Sequence, residues 1–324
     1  MGRYIIRRLL WVIFVLLLVT LITYLIFFKL PPGDPAVRFA GKQPTAASIA
    51  EVKKQFGLDK PFVIQYALFV KRFFGGDKDG WPGMGFSFNT RSALHPIITS
   101  RLVITAQLAL GAALVWILLG IPIGVLSALR PRSLGDRIAM GFALFGVSAP
   151  VFWLGLIFLY LFASDIGRVH IFPGAGSYVG LTYEPVKWFE SLILPWLVVA
   201  AGSAAIYARL IRGSLIETMG EDYIRTARAK GLRERTVVLR HGVRAAINPV
   251  VTVLGVDIGV LLGSSVLVET VFNIPGIGRL NYIAITHADF PIVQGTVLFA
   301  ALVIIVANII VDIAYAFLDP RVRY

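Results

Sequence analysis

Apolar and polar stretches alternate from end to end of the chain, and that alternation predicts its elements. Residues 9–28 form an almost unbroken apolar run, close to the roughly 20 residues a helix needs to cross hydrocarbon. Runs of the same kind recur at 102–128, 138–163, 191–211, 250–271 and 292–317. Backbone polar groups inside a bilayer must be satisfied within the chain, so six apolar runs of this length predict six transmembrane helices. The first run ends in Lys29-Leu30-Pro31-Pro32 rather than a small-residue cleavage site, which reads as an uncleaved span. Gly202-Ser203-Ala204-Ala205 gives the fourth span a small-residue face suited to close helix packing.

The polar stretches differ in kind. Residues 31–100 open on the turn chemistry of Pro32-Gly33-Asp34-Pro35. They continue with mixed charged and apolar groups at helical spacing over 46–74, then a loop over 75–85. Residues 165–191 carry Pro173, Gly174, Gly176 and Gly180 and predict a loop with a short interfacial helix near 186–189. The stretch 221–249 is the most distinctive. Met219, Tyr223 and Ala227 recur at i, i+4 on one predicted helix face, and Gly231 then interrupts the pattern. A second pattern follows, with Thr236, Leu239, Val243 and Ala246 on one face and Arg233, Arg240 and Arg244 on another. Helix, sharp turn and helix with a cationic surface is the expectation. Two roles stay open for it: a basic element lying on anionic lipid, or a docking element for a partner protein.

Charge sets the orientation. Arg3, Arg7 and Arg8, then Arg130, Arg132 and Arg137, then the cations from Arg209 to Arg244, then Arg321 and Arg323 all fall on one side of the six-span scheme. The opposite short loops hold only Arg168, Lys187 and Arg279. The positive-inside rule places both termini and the stretch 221–249 in the cytoplasm, with 31–100 outside. Composition agrees with a membrane protein: 57% of the 324 residues are hydrophobic and only 15% charged, against about a quarter charged in soluble domains. The net charge of +13 is then cytoplasmic Lys/Arg rather than a sign of nucleic acid.

Candidate chemistry is sparse. The chain has no cysteine, which excludes disulfides and thiolate sites. It has no G-x-x-x-x-G-K-[ST] phosphate loop, no H-E-x-x-H and no Ser/His/Asp arrangement; His95 stands alone. Asp257 lies near the middle of the fifth predicted span, where a carboxylate must face protein or water. It reads equally as a polar lining of a translocation path or as a hydrogen-bonded packing residue. Glu269, at the outer end of the same span, is expected to be solvated or to line the outer mouth, and Asp312 to be structural. The glycine-rich loop 271–278 lacks the strand-to-helix context of a dinucleotide site and reads as a tight turn.

The central stretch resembles the cytoplasmic EAA loop of permeases from binding-protein-dependent ABC importers. Ala227 and Gly231 match the second alanine and the glycine of that loop, whereas Arg225 and Thr226 replace its Glu and first Ala. Those departures agree with the dipeptide/oligopeptide branch, which is similar to Tyr223-Ile224-Arg225-Thr226-Ala227-Arg228-Ala229-Lys230-Gly231-Leu232 and continues into the pair Arg240-His241. The resemblance extends to Pro32-Gly33-Asp34-Pro35, Gly57-Leu58-Asp59-Lys60-Pro61, Val268-Glu269-Thr270-Val271-Phe272, Pro275-Gly276-Ile277-Gly278 and Leu318-Asp319-Pro320-Arg321. It implies an all-α polytopic helical bundle of the type I importer permease kind. Residues 1–30 would be the first span, 31–100 an extracytoplasmic segment, and 101–320 a five-helix core with a coupling loop over 213–249.

The function implied is a permease subunit of an ATP-driven importer for di- or oligopeptides in a bacterial or archaeal cytoplasmic membrane. Importers for nickel or oligosaccharides resemble it at this level, and a stand-alone secondary transporter or channel is the competing class. The implied partners are a second homologous permease, two cytoplasmic ATPase subunits, an extracytoplasmic substrate-binding protein and membrane lipid, with no nucleic acid. No cofactor is expected on this chain, and ATP and Mg on the ATPases. Thr226, Ala227, Arg228, Ala229, Lys230, Gly231, Leu232, Arg233, Glu234 and Arg235 would engage an ATPase groove, and Asp257 and Glu269 would face the path. The orientation is open to direct test. Tags near Gly85 should be reached from outside intact cells and tags near Arg235 should be protected; the reverse pattern contradicts the topology.

Overall fold

The computed structural model describes residues 2–318 apart from 252, 255–256, 258–260 and 262–264, with side chains from Ile6 to Ile310. It is helical almost throughout. In chain order come α1 (Gly2–Tyr24), α2 (Pro35–Phe39), α3 (Ala46–Phe56), α4 (Phe62–Gly75), a two-residue hairpin of β1 (Phe86–Ser87) and β2 (Ser92–Ala93), and α5 (Leu94–Leu129). Next follow α6 (Leu134–Ser148), α7 (Val151–Phe162), α8 (Pro185–Met219) and α9 (Asp222–Ala229). The helices Val266–Val271, Ile277–Thr286 and Phe290–Leu318 complete the described chain. Among the described residues, four helices are long and apolar enough to span a membrane, or five with α6 and α7 taken as one bent span. The predicted fifth span, 250–271, and the closing Leu318-Asp319-Pro320-Arg321 lie partly outside the described residues, as does the side chain of Asp312.

Internal packing divides the chain into two units. The first holds residues 1–105 together with 262–266 and 275–324. Its core is aromatic: Tyr24 stacks on Phe28 at 4.8 Å between ring centroids, Phe28 on Phe39 at 4.7 Å, and Phe56 meets Phe28 at 4.9 Å. Such pairs contribute roughly 0.5–1.5 kcal/mol each beyond the area they bury. The Tyr24 hydroxyl donates to Gln65 Oε1 at 2.6 Å, and the Gln65 amide donates to the carbonyls of Leu58 and Lys60, so the buried polar atoms joining α1 to α4 are partnered.

The sequence explains the short helices. Asp34 caps α2 by accepting from the Ala36 amide, with Pro35 following it. Thr45 and Ser48 form a capping box on α3, which Gly57 terminates. Asp34 also pairs with Lys53 at 2.9 Å, and this pairing holds its carboxyl below the usual carboxylate range. Arg72 lies 4.1 Å over the Phe56 ring, and burial pushes its guanidinium down to about 10.

The second unit holds residues 106–261 and 267–274, with α8 at its centre. The predicted interfacial helix and fourth span are one continuous helix of 35 residues, with Pro195 inside it. The small-residue face of α8 is used as its composition implies. A Cβ on Gly120 of α5 would come within 2.8 Å of the Ala204 carbonyl oxygen, and one on Gly124 within 2.5 Å of that of Ala208. Only glycine permits two backbones to approach this closely. On the same unit, Gln107 Oε1 accepts from Tyr178 and Trp188, anchoring the loop before α8.

The third predicted span, 138–163, is not a single helix. It breaks between Ser148 and Val151, and α6 and α7 meet at a bend of 111°. Pro150 has no amide to continue the ladder, and a residue before proline is steered out of the helical region. Ala149 accordingly has ψ near 129°.

Candidate functional site

The site is assembled from the end of α8 onward. A helix of 35 residues is about 52 Å long, well beyond a hydrocarbon core of about 30 Å, so α8 projects from the membrane. Gly220 and Glu221 end it, and α9 follows with Asp222 in its first turn and Arg228 in its last, the polarity that suits a helix dipole. Ile224 and Ala227 of α9 are buried against Val237, with Met219 packed beside them. Tyr223 is instead exposed, because the interruption at Gly220 resets the helical phase expected from Met219.

Gly231 has φ of +74° and a Cβ there would meet open space, so backbone conformation alone requires glycine at this turn. Its amide donates to the Arg228 carbonyl, and the Leu232 amide to that of Ala227. Arg228 then reaches across the turn to Glu234 with two hydrogen bonds, 3.1 and 2.7 Å. This pairing holds the Glu234 carboxyl below its usual range and raises Arg228. The lowered carboxyl keeps the clamp charged at neutral pH and releases it only as pH falls through that lowered value.

Beyond Thr236 the chain widens into a π-helix over Val237–Val243. The wider turn moves the buried positions to Val237, Val238, Gly242 and Ala246, and leaves Leu239 exposed where a regular helix would bury it. Gly242 packs against Leu215 and Met219 of α8, which returns the second arm onto the stem.

Of the ten residues expected to engage a partner, Thr226, Arg228, Ala229, Lys230, Gly231, Leu232, Arg233, Glu234 and Arg235 are exposed, whereas Ala227 is buried and supports the others from beneath. The structure brings these ten together on one turn. Asp257 is elsewhere: half-buried, its Oδ2 accepts from the Tyr207 hydroxyl at 2.9 Å. Glu269, expected to be solvated or to line the outer mouth, is not solvated: its side chain is wholly buried on the helix Val266–Val271. His95 bonds the Trp81 carbonyl.

Sequence reasoning missed one cluster. Asp136, 4% exposed, accepts from Ser127 and Arg212 Nε at one oxygen and from the Arg132 amide and Arg212 Nη2 at the other, at 2.5 to 2.8 Å. It ties the end of α5, the start of α6 and the projecting end of α8 into one rigid root for the loop. Asp136 was legible only as the single acid in a basic loop, and its partner Arg212 lies 76 residues away.

A polytopic helical membrane protein with a folded, cationic turn on a projecting helix is the class this geometry defines. Comparison with known proteins sharpens it: residues 120–324 match the family described as binding-protein-dependent transport system inner membrane component, and residues 1–109 its N-terminal membrane component. The chain belongs to this family. It is 39% identical over 324 residues, all of both chains, to a Brucella abortus protein provisionally named a peptide transport system permease protein. It is 38% identical, again over all of both chains, to the glutathione transport system permease protein GsiC of Salmonella typhimurium. The chain is therefore a membrane permease subunit of an ATP-driven importer and not an enzyme.

The root cluster generates a test. Asp136→Asn keeps the shape but removes the charge that Arg212 requires. It should lower the thermal unfolding midpoint of the purified permease by several degrees, whereas Asp165→Asn, in an exposed loop, should leave it unchanged. Equal midpoints for the two variants would contradict the rooting role.

Proposed function

We propose that the chain forms, with a second homologous permease, the membrane passage of an importer for peptides, and that residues 226–235 dock into a groove of a cytoplasmic ATPase. Both termini and the loop lie in the cytoplasm, and a substrate-binding protein delivers peptide from the other side. ATP and Mg are bound by the two ATPase subunits. Closure of the ATPases moves the docked loop, and the passage switches between inward- and outward-facing states because ATP binds one state better. The observation that carries this reading is the loop itself: nine exposed residues on a turn braced by Arg228–Glu234 and by Ile224, Ala227 and Val237. Peptide as substrate is supported by the full-length identity to the Brucella and Salmonella relatives, and nickel, oligosaccharides or a stand-alone carrier find no comparable support.

The competing role for the loop is adsorption to anionic lipid, in which each cation near the surface adds about 1 kcal/mol and shape is immaterial. Two substitutions separate them. Gly231→Val imposes a β-branched residue on a positive φ, at a cost of about 1 kcal/mol or more. The built Cβ meets no atom, so the fold survives while the turn is displaced. Arg235→Gln removes one exposed charge. Measured in the same membranes, Gly231→Val should lose ATPase subunits or substrate-stimulated hydrolysis, and Arg235→Gln should retain both. A larger loss from the arginine change contradicts docking by shape.

A further inference from the structure

Arg72 lies near the end of α4, its guanidinium 4.1 Å over the Phe56 ring of α3. Burial lowers it only to about 10, so it is a cation at neutral pH. Among the described residues it makes no hydrogen bond and no ion pair, and its Nε and Nη1 are buried without an acceptor. Buried polar atoms are nearly always partnered, and buried charges more strictly still. Asp77 is the acid whose charge reaches it. Both oxygens of Asp77 are taken by backbone amides, however, Oδ1 by that of Asp79 at 3.0 Å and Oδ2 by that of Gly85 at 2.9 Å.

The surroundings of the guanidinium are fixed. The loop after α4 folds back on the helix end: the Gly83 amide donates to the Phe73 carbonyl, and a Cβ on Gly83 would come within 2.4 Å of the Arg72 carbonyl oxygen. The Leu94 amide donates to the Gly85 carbonyl and ties the loop to the start of α5. Gly85, with φ of +87°, then faces Arg72. A Cβ built on it would lie 3.5 Å from Gln55 Nε2 and 4.0 Å from Arg72 Nη1. These are ordinary contact distances. Two donors, one from α3 and one from α4, therefore converge on space that the glycine leaves free.

The chemistry of the donors selects the ligand. With Phe56 against its face, the guanidinium offers its edge, and a planar edge of N–H groups matches a carboxylate. Water would satisfy the N–H groups but not the charge. A dianion such as sulfate would be repelled by Asp77 twice as strongly as a single carboxylate. We propose that Arg72 and Gln55 form a binding site for a carboxylate, that of the C-terminus of a peptide on the extracytoplasmic side. Peptide as the source of the carboxylate, and the side on which it arrives, rest on the importer reading above.

Hydrogen–deuterium exchange over residues 77–85 of the complete purified transporter tests the site. Millimolar glycylglycine, which carries a free carboxylate, should slow exchange there, and glycylglycinamide, the same peptide without one, should not. Arg72→Gln should abolish the difference. Gln55→Leu, which leaves Arg72 in place, should raise the half-saturating concentration severalfold and serves where the arginine change disturbs the fold. Equal slowing by sodium chloride or sodium sulfate means an adventitious ion only and overturns the site, as does equal exchange with the peptide and its amide. Peptide uptake by the same preparation, reconstituted with its binding protein, reads the importer separately. Uptake without carboxylate-dependent slowing overturns this site alone; no uptake of any peptide overturns the importer reading and, with it, peptide as the ligand.

Discussion

A backbone amide in hydrocarbon has no water to bond, and most of this structure follows from that constraint. It forces the apolar runs into helices, because only a helix satisfies its backbone within one segment. It also gives special weight to each departure from a helix. Where the departure is outside the apolar runs, as at Gly231, the chain supplies its own partners through the Arg228, Ala227 and Glu234 bonds. Where it is inside one, as at Ser148–Val151, the amides of Val151, Phe152 and Trp153 have no acceptor among the described residues.

The same constraint explains why the second unit can act as a lever. Helices in a membrane gain nothing from hiding apolar surface from one another and associate by close packing instead. Gly120, Gly124 and Gly146 bring α5 and α6 to within backbone contact of α8. At the end of that packed region, Asp136 and Arg212 add a bidentate ion pair of fixed geometry. A displacement applied to the loop is therefore passed to α8 and, through it, to the helices on either side. Stiffness of this kind suits a rigid-body switch between two states better than a flexible tether would.

Much of this could be read from the residues in order. The apolar runs gave five of the six spans as helices or parts of helices, the Gly-Ser-Ala-Ala run marked the packing face of α8, and Gly231 marked a positive-φ turn. Information local to a few residues was legible. The bend at Pro150 was present in the sequence too, but the apolar run around it hid the break, since hydrophobicity alone does not distinguish one helix from two. The π-helix over Val237–Val243 was not legible because a regular period was assumed, and it moved Leu239 from the buried to the exposed side. Long-range pairs were beyond reach: Asp136 with Arg212, and Tyr207 with Asp257, join positions 76 and 50 residues apart. Glu269 was misplaced for a related reason. Its position at a predicted span end suggested solvent or the outer mouth, whereas its side chain is fully buried in a helix that leaves Leu267 and Thr270 exposed.

The central claim is that residues 226–235 are a preformed docking turn for a partner ATPase. An eight-residue helix such as α9 is marginal without tertiary support, so its amides report on whatever covers it. Hydrogen–deuterium exchange over residues 222–236 should therefore be compared between the permease pair alone and the complete transporter in the same detergent. The account predicts that adding the ATPase subunits slows exchange across Thr226–Arg235 and leaves the exposed loop around Asp165 unchanged. Identical exchange over 222–236 in both samples, with the ATPases shown to be bound, would contradict it.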